Sequence, residues 1–168
     1  MARIGKALRW NRIQGDDLLI FVTVGTSLPH DDLIEAIDNL VGSREILDEV
    51  IAQRGAGEYR PKHIKSFRFR KGLDGYLSKA EIVISNCGAG TIMENVTKGH
   101  RLVVIQNPDI TGGHEWELVT KMEKGGHLVW CRGLDQLKES IRQARTMDFT
   151  KFQPERLDLN SILRDLMP

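Results

Sequence analysis

From Leu18 onward, short apolar runs alternate with longer stretches in which apolar positions recur every three or four residues. Residues 18–24 (LLIFVTV) are almost continuously apolar, the pattern of a strand buried on both faces. The run stops at Gly25. Pro29 and Asp31 then open a stretch that places Leu33, Ile34, Ile37, Leu40 and Val41 on one helical face. Residues 49–52 read as a short strand, followed by a charged, glycine-containing loop through Arg60 and Pro61. Over 64–70, Ile64, Ser66 and Arg68 alternate with Lys65, Phe67 and Phe69, which predicts a third strand. A short helix over 73–79 and a fourth strand over 81–86 follow. Gly88-Ala89-Gly90 turns into a helix ending at Gly99, and 102–106 is a fifth strand. Gly112-Gly113 leads into a helix over 114–124 that Gly125-Gly126 terminates. Residues 127–131 form a sixth strand, 134–145 are amphipathic through Leu134, Leu137, Ile141 and Ala144, and a last helix is predicted over 157–166.

Strands alternating with helices imply an α/β, Rossmann-like parallel sheet with helices on both faces. Such sheets bind ligands beyond the carboxyl ends of their strands, where the strand order reverses. The loops that matter are therefore those after Val24, Arg70, Asn86, Gln106 and Cys131. The pattern divides the chain into an N-terminal extension, 1–17, and one domain, 18–168.

Length and composition narrow the class. The 168 residues suit one domain, and 40% hydrophobic with 28% charged residues is a globular composition. A net charge of +1 gives no global bias toward nucleic acid. No apolar run reaches the roughly 18 residues that span a bilayer, and the N-terminus lacks a signal-peptide core, so a cytoplasmic protein is expected. Cys87 and Cys131 then read as free, buried thiols. A nucleophilic Cys87 is the weaker reading, because no base or cation stands nearby in sequence to generate thiolate.

Three loops carry candidate chemistry. After the first strand, Gly25 permits close backbone approach, and the hydroxyls of Thr26 and Ser27 can donate to phosphate; an ordinary capped strand-to-helix turn fits equally well. After the fourth strand, Gly88, Ala89, Gly90 and Thr91 start a helix, whose unpaired N–H groups and positive dipole end suit a diphosphate. The motif is neither GxGxxG nor a P-loop. Glu94, three residues after Thr91, completes a capping-box pattern or accepts from ribose hydroxyls; the local pattern alone favours the cap. After the fifth strand, His114 and Glu115 occupy the first turn of a helix facing the same cleft. Metal-ligand spacing is lacking, as is an Asp-x-Asp pair, so no cofactor or metal is expected. Two basic segments remain, Arg60 to Lys71 and Arg3 to Arg12; they read as solvated faces or as surfaces for anionic lipid. No aromatic platform for single-stranded nucleic acid accompanies them.

The segments FVTVGTSLPHDDLI and VISNCGAGTIMENVTKGHRLVVIQNPDITGGHEWELVTKMEKGGHLVWC resemble the C-terminal, donor-binding domain of glycosyltransferase family 28. The resemblance covers about Ile20 to Cys131. Within the family it points to split enzymes that extend dolichol-diphosphate-linked N-acetylglucosamine and to their bacterial exopolysaccharide counterparts. It implies a single GT-B donor-binding half. By resemblance, Gly25, Thr26 and Ser27 lie near the donor phosphates, and Phe67, Arg68 and Phe69 form the strand end whose main chain reads uracil. Gly88, Ala89, Gly90 and Thr91 meet the diphosphate, Glu94 binds ribose, and His114 and Glu115 face sugar and phosphate. The family often has glutamine where Glu115 stands, and a carboxylate there disfavours an acidic sugar. The implied function is inverting transfer of a neutral sugar, N-acetylglucosamine foremost, from a UDP-sugar to a lipid-linked acceptor. The implied partner is a membrane-anchored acceptor-binding subunit that recruits the chain to the membrane and supplies the catalytic base. A non-catalytic nucleotide-sugar sensor is the alternative. A two-lobed epimerase fits this length poorly.

Overall fold

Alternation within β1, Leu19–Thr23, sets the architecture. Ile20 and Val22, with Val24 just beyond the strand, enter one hydrophobic cluster and Phe21 enters another, all with no exposed surface, so both faces of this strand are covered. In the computed structural model the described residues are 18–25, 29–86, 88–108 and 113–154, without the side chains of 113–115. The predicted 157–166 helix, the 1–17 extension, Thr26, Ser27 and Cys87 lie outside them.

The remaining strands are β2 (Glu49–Gln53), β3 (Lys65–Phe67), β4 (Ala80–Asn86), β5 (Leu102–Ile105) and β6 (Val129–Cys131). They form one parallel sheet in the order β3-β2-β1-β4-β5-β6. The helices are α1 (Asp31–Gly42), α2 (Asp74–Leu77), α3 (Ala89–Lys98), α4 (Gly113–Lys124) and α5 (Leu137–Thr146). Leu33, Ile34 and Ile37 of α1 and Leu137, Ile141 and Ala144 of α5 cover one face. Ile92 and Val96 of α3 with Val119 and Met122 of α4 cover the other. The chain builds outward from β1 through β2 to β3, then crosses back to β4. The order therefore reverses between β1 and β4, and the crevice of the fold opens there.

Several elements are shorter than their sequence patterns. The third strand keeps only Lys65–Phe67, because β3 is an edge strand with a single neighbour. Ladder-like hydrogen bonds nonetheless continue past it, from Arg54 N to Phe67 O (3.0 Å) and from Gly55 N to Arg68 O (2.9 Å). The helix expected over 73–79 is the four-residue α2, and the sixth strand begins two residues late, at Val129. The 134–145 stretch starts as a 3-10 turn, Leu134–Gln136, before α5. Gly99 ends α3 in the left-handed conformation at φ 81°, as its position predicts.

A buried carboxylate organises the β2–β3 connection. Asp38, on α1 and 1% exposed, accepts from Tyr59 Oη (3.0 Å) and from the amides of Lys62 (2.8 Å), His63 (2.7 Å) and Ile64 (3.1 Å). Burial alone would raise its pKa, but these hydrogen bonds outweigh it and hold the carboxyl below its ordinary value. Asp31, at the start of α1, anchors the preceding part of the loop by accepting from the amides of Glu58 and Tyr59.

Candidate functional site

The loops at the β1/β4 crevice are tied together by buried polar contacts. His30, which precedes α1, pairs through Nδ1 with Asn86 Oδ1 at the end of β4 (2.9 Å). Asn107, after β5, donates to Pro29 O at 3.1 Å. The carboxyl ends of β1, β4 and β5 are thus held in one constellation, with hydrogen bonds satisfying groups that would otherwise be costly to bury.

A cleft of about 470 Å³ opens at this end of the sheet. Gly25, Phe69, Thr91 and Glu94, which sequence reasoning singles out, all line it. Thr23 and Gln53, at the ends of β1 and β2, and Arg70 to Asp74 line it as well. Gln53 Nε2 lies 3.4 Å from Thr23 Oγ1, and Gln53 Oε1 lies 3.4 Å from the Arg70 amide, so one side chain spans strands β1, β2 and the end of β3. The pattern alone did not single out Gln53 or Asp74. A polar residue closing an apolar strand was the available signal for Gln53, and an acid opening a short helix was the signal for Asp74.

The start of α3 is open. Gly88 is the N-cap, with no side-chain cap, and a Cβ at Gly90 would meet nothing within 4 Å. The first N–H groups of a helix lack intrahelical acceptors and carry the positive dipole end, so an anion can approach them here. This register also removes the capping-box reading. Thr91 lies inside the helix rather than at its cap, so Glu94 is in the second turn and cannot close a box with it. Glu94 instead projects at the cleft rim, half-exposed, where Lys98 Nζ reaches its Oε1 at 2.8 Å. Behind it, Asn95 donates to Thr91 O (2.8 Å) and pairs with His100 Nδ1 (2.9 Å), which stiffens the cleft-facing side of α3.

The end of β3 divides its residues between roles. The Phe67 ring packs against the hydrophobic cluster of Phe21, 5.3 Å from the Tyr76 ring and 6.5 Å from Phe21. The Arg70 guanidinium stands 5.2 Å from the Phe67 centroid and 5.4 Å from that of Tyr76. Arg68 faces a neighbouring recess of about 590 Å³ with Gly55 and Ala56, and Phe69, 64% exposed, borders both hollows. The Phe67 and Arg68 carbonyls accept from Arg54 and Gly55, whereas the Phe69 amide and carbonyl have no partner among the described residues. Gly55 holds φ +59°, and a Cβ there would lie 2.5 Å from Gly25 O, so β2's turn presses directly on the loop after β1.

The backbone of His114 and Glu115 lies in the first turn of α4; their side chains, like Thr26 and Ser27, fall outside the described residues. Cys131 is buried, and burial pushes its thiol pKa up, the opposite of what a nucleophile needs. Among the described residues no group of three or more His, Cys, Asp or Glu side chains could hold a metal ion. No helix among them is long and apolar enough to cross a membrane.

Residues 19–162 match the glycosyltransferase family 28 C-terminal domain. The human protein named UDP-N-acetylglucosamine transferase subunit ALG13 is 34% identical over 123 residues, 67% of this chain but only 11% of the human one. Its namesake in Yarrowia lipolytica is 26% identical over 125 residues, 67% of this chain and 64% of that one. Among solved structures, the solution structure of ALG13 superposes with a TM-score of 0.56 at 17% identity, over 90% of this chain and 95% of that one. MurG from Acinetobacter baumannii gives 0.62 at 21% identity, over 92% of this chain and 51% of that one. At such identities the likeness speaks to the fold, one Rossmann-like half of the GT-B architecture. On its sequence match across nearly the whole domain, the chain belongs to the glycosyltransferase family 28 C-terminal domain.

Proposed function

We propose that the chain is the UDP-sugar-binding subunit of a glycosyltransferase that transfers N-acetylglucosamine to a lipid-linked acceptor, together with a membrane-anchored partner. The observation that carries the reading is the convergence of Gly25, Phe69, Thr91 and Glu94 on one cleft at the strand-order reversal, beside an uncapped helix start. The unpartnered main chain at Phe69 suits the edge of a uracil, Glu94 suits the ribose hydroxyls, and the α3 amides suit the diphosphate. The names of the relatives, which call them transferase subunits, support both the donor and the need for a partner.

The chemistry asked of this chain is electrostatic. As the acceptor hydroxyl oxygen bonds to the anomeric carbon, the bond from that carbon to the diphosphate oxygen breaks, and charge gathers on the departing UDP. Helix N–H groups fixed before the reaction stabilise that charge without reorganisation, the task a divalent metal performs at other sites. The acceptor must stand within about 3–3.5 Å in line with the leaving group. The described cleft suits the donor side of that arrangement, and in this reading the partner brings the acceptor site and the general base. The partner also brings the chain to the membrane.

Calorimetry with UDP tests the binding half of the reading. Glu94→Gln should weaken UDP by about 1.5–3 kcal/mol, the range for hydrogen bonds to a charged group, with the circular dichroism unchanged. Unaltered affinity removes Glu94 from the site. Transfer of labelled sugar to a lipid acceptor should appear only when the membrane-anchored subunit is added. Strong transfer by the purified chain alone refutes the two-subunit reading, and donor binding with no transfer in either case leaves a sensor.

A further inference from the structure

We infer that Lys98 is a positioning residue for the donor ribose: it holds the Glu94 carboxylate in place and clasps it to Asp74, which lines the same cleft. This rests on the reading of Glu94 as the ribose acceptor. The geometry is a single ammonium shared by two acids. Lys98 Nζ donates to Glu94 Oε1 at 2.8 Å and to Asp74 Oδ1 at 3.0 Å. Glu94 lies on α3 and Asp74 opens α2; both line the cleft, whereas Lys98 is not among the described residues that do. The bridge therefore acts on a ligand only through the two carboxylates.

Four physical effects favour this role. Glu94 precedes Lys98 by four residues on one helix, the orientation in which such pairs form best. Lys98 also sits in the last turn of α3, where a cation suits the dipole. The bond to Lys98 takes one lone-pair direction of Oε1 and leaves the others, including both on Oε2, for two hydroxyls. Finally, Glu94 and Asp74 would place two negative charges beside a bound diphosphate, and the shared ammonium offsets part of that repulsion. The same two acids raise the Lys98 pKa, Glu94 first, so the ammonium persists across the working pH range.

The test compares UDP with 2′-deoxy-UDP on the full chain by calorimetry, because loss of one ribose hydroxyl isolates the contact that Lys98 is said to position. Lys98→Met should weaken UDP about two- to five-fold, as expected for an exposed ion-pair network, and should weaken 2′-deoxy-UDP less. The preference for UDP over its deoxy analogue therefore narrows. Lys98→Arg should retain most of that preference, and raised salt should shrink the difference between wild type and Lys98→Met. If Lys98→Met keeps the wild-type preference while Glu94→Gln loses it, Lys98 is only a solvated surface pair and the inference is overturned, with the ribose reading intact. If Glu94→Gln also keeps the preference, the ribose reading fails and takes the inference with it. Circular dichroism of each variant separates either result from a loss of fold.

Discussion

Replacing Asp38 should detach the β2–β3 connection from α1, and the size of the effect follows from its contacts. The wild-type carboxylate is 1% exposed and accepts from one phenol and three backbone amides. A hydrogen bond to a charged group contributes about 1.5–3 kcal/mol net when both ends are buried. Lys62 and His63 are themselves exposed, so their amides regain water when the acceptor is lost, and the four terms do not add. For Asp38→Ala an overall loss of about 3–5 kcal/mol is expected, mostly the cost of orphaned donors around Ile64 and Tyr59. Asp38→Asn keeps one acceptor oxygen and should lose about half as much. Urea unfolding monitored by circular dichroism gives the global figure. Because β3 is an edge strand that can come away locally, amide exchange at Lys62, His63 and Ile64 reads the anchor directly, and all three should exchange faster in both variants. The pH dependence has a definite sign. The folded carboxyl titrates below its ordinary value of 3.8, so its stabilisation is complete above that pH and disappears as pH falls through the folded value. The gap between wild type and Asp38→Asn should therefore be widest at neutral pH and narrow in acid. A loss under about 1 kcal/mol for Asp38→Ala with unchanged amide exchange, or a gap independent of pH, refutes the anchoring role.

Two further outcomes bear on the cleft. Gly55→Ala combines a positive φ, which costs roughly 1–2 kcal/mol for a side chain, with a Cβ 2.5 Å from Gly25 O, so it should lower stability by about 2 kcal/mol or more and weaken UDP by displacing the loop after β1; wild-type stability and affinity would show that the two turns do not press on each other. Donor binding should survive chelation, since helix amides rather than a metal are assigned the phosphate charge; loss of UDP binding with chelator and its recovery with magnesium or manganese would contradict the loop assignment.

What the sequence determined by itself was the local grammar. Continuous apolar runs such as 18–24 and 102–105 could be satisfied only by strands covered on both sides, and the helical spacing of Leu33, Ile34 and Ile37 required a covering helix. Gly88 to Thr91 marked a helix start after a buried strand, because a strand-to-helix turn has its own residue chemistry. These are properties of neighbours within about two turns of chain, which periodicity records. The tertiary structure decided what depends on residues far apart. Only the strand order put the loops after β1 and β4 on one crevice, and only the packing stacked the Phe67 ring against Phe21 and Tyr76 while Phe69 stayed at the cleft. The choice between cap and cleft for Glu94 turned on whether the helix began at Ala89 or later, a boundary the local pattern leaves open by a residue or two. His30 with Asn86, Asp38 with the 59–64 loop, and Asp74 with Lys98 are separated by 56, 21 to 26, and 24 residues. These groups meet because the hydrophobic faces of the helices can dock on this sheet in one register, and that register is a property of the whole core.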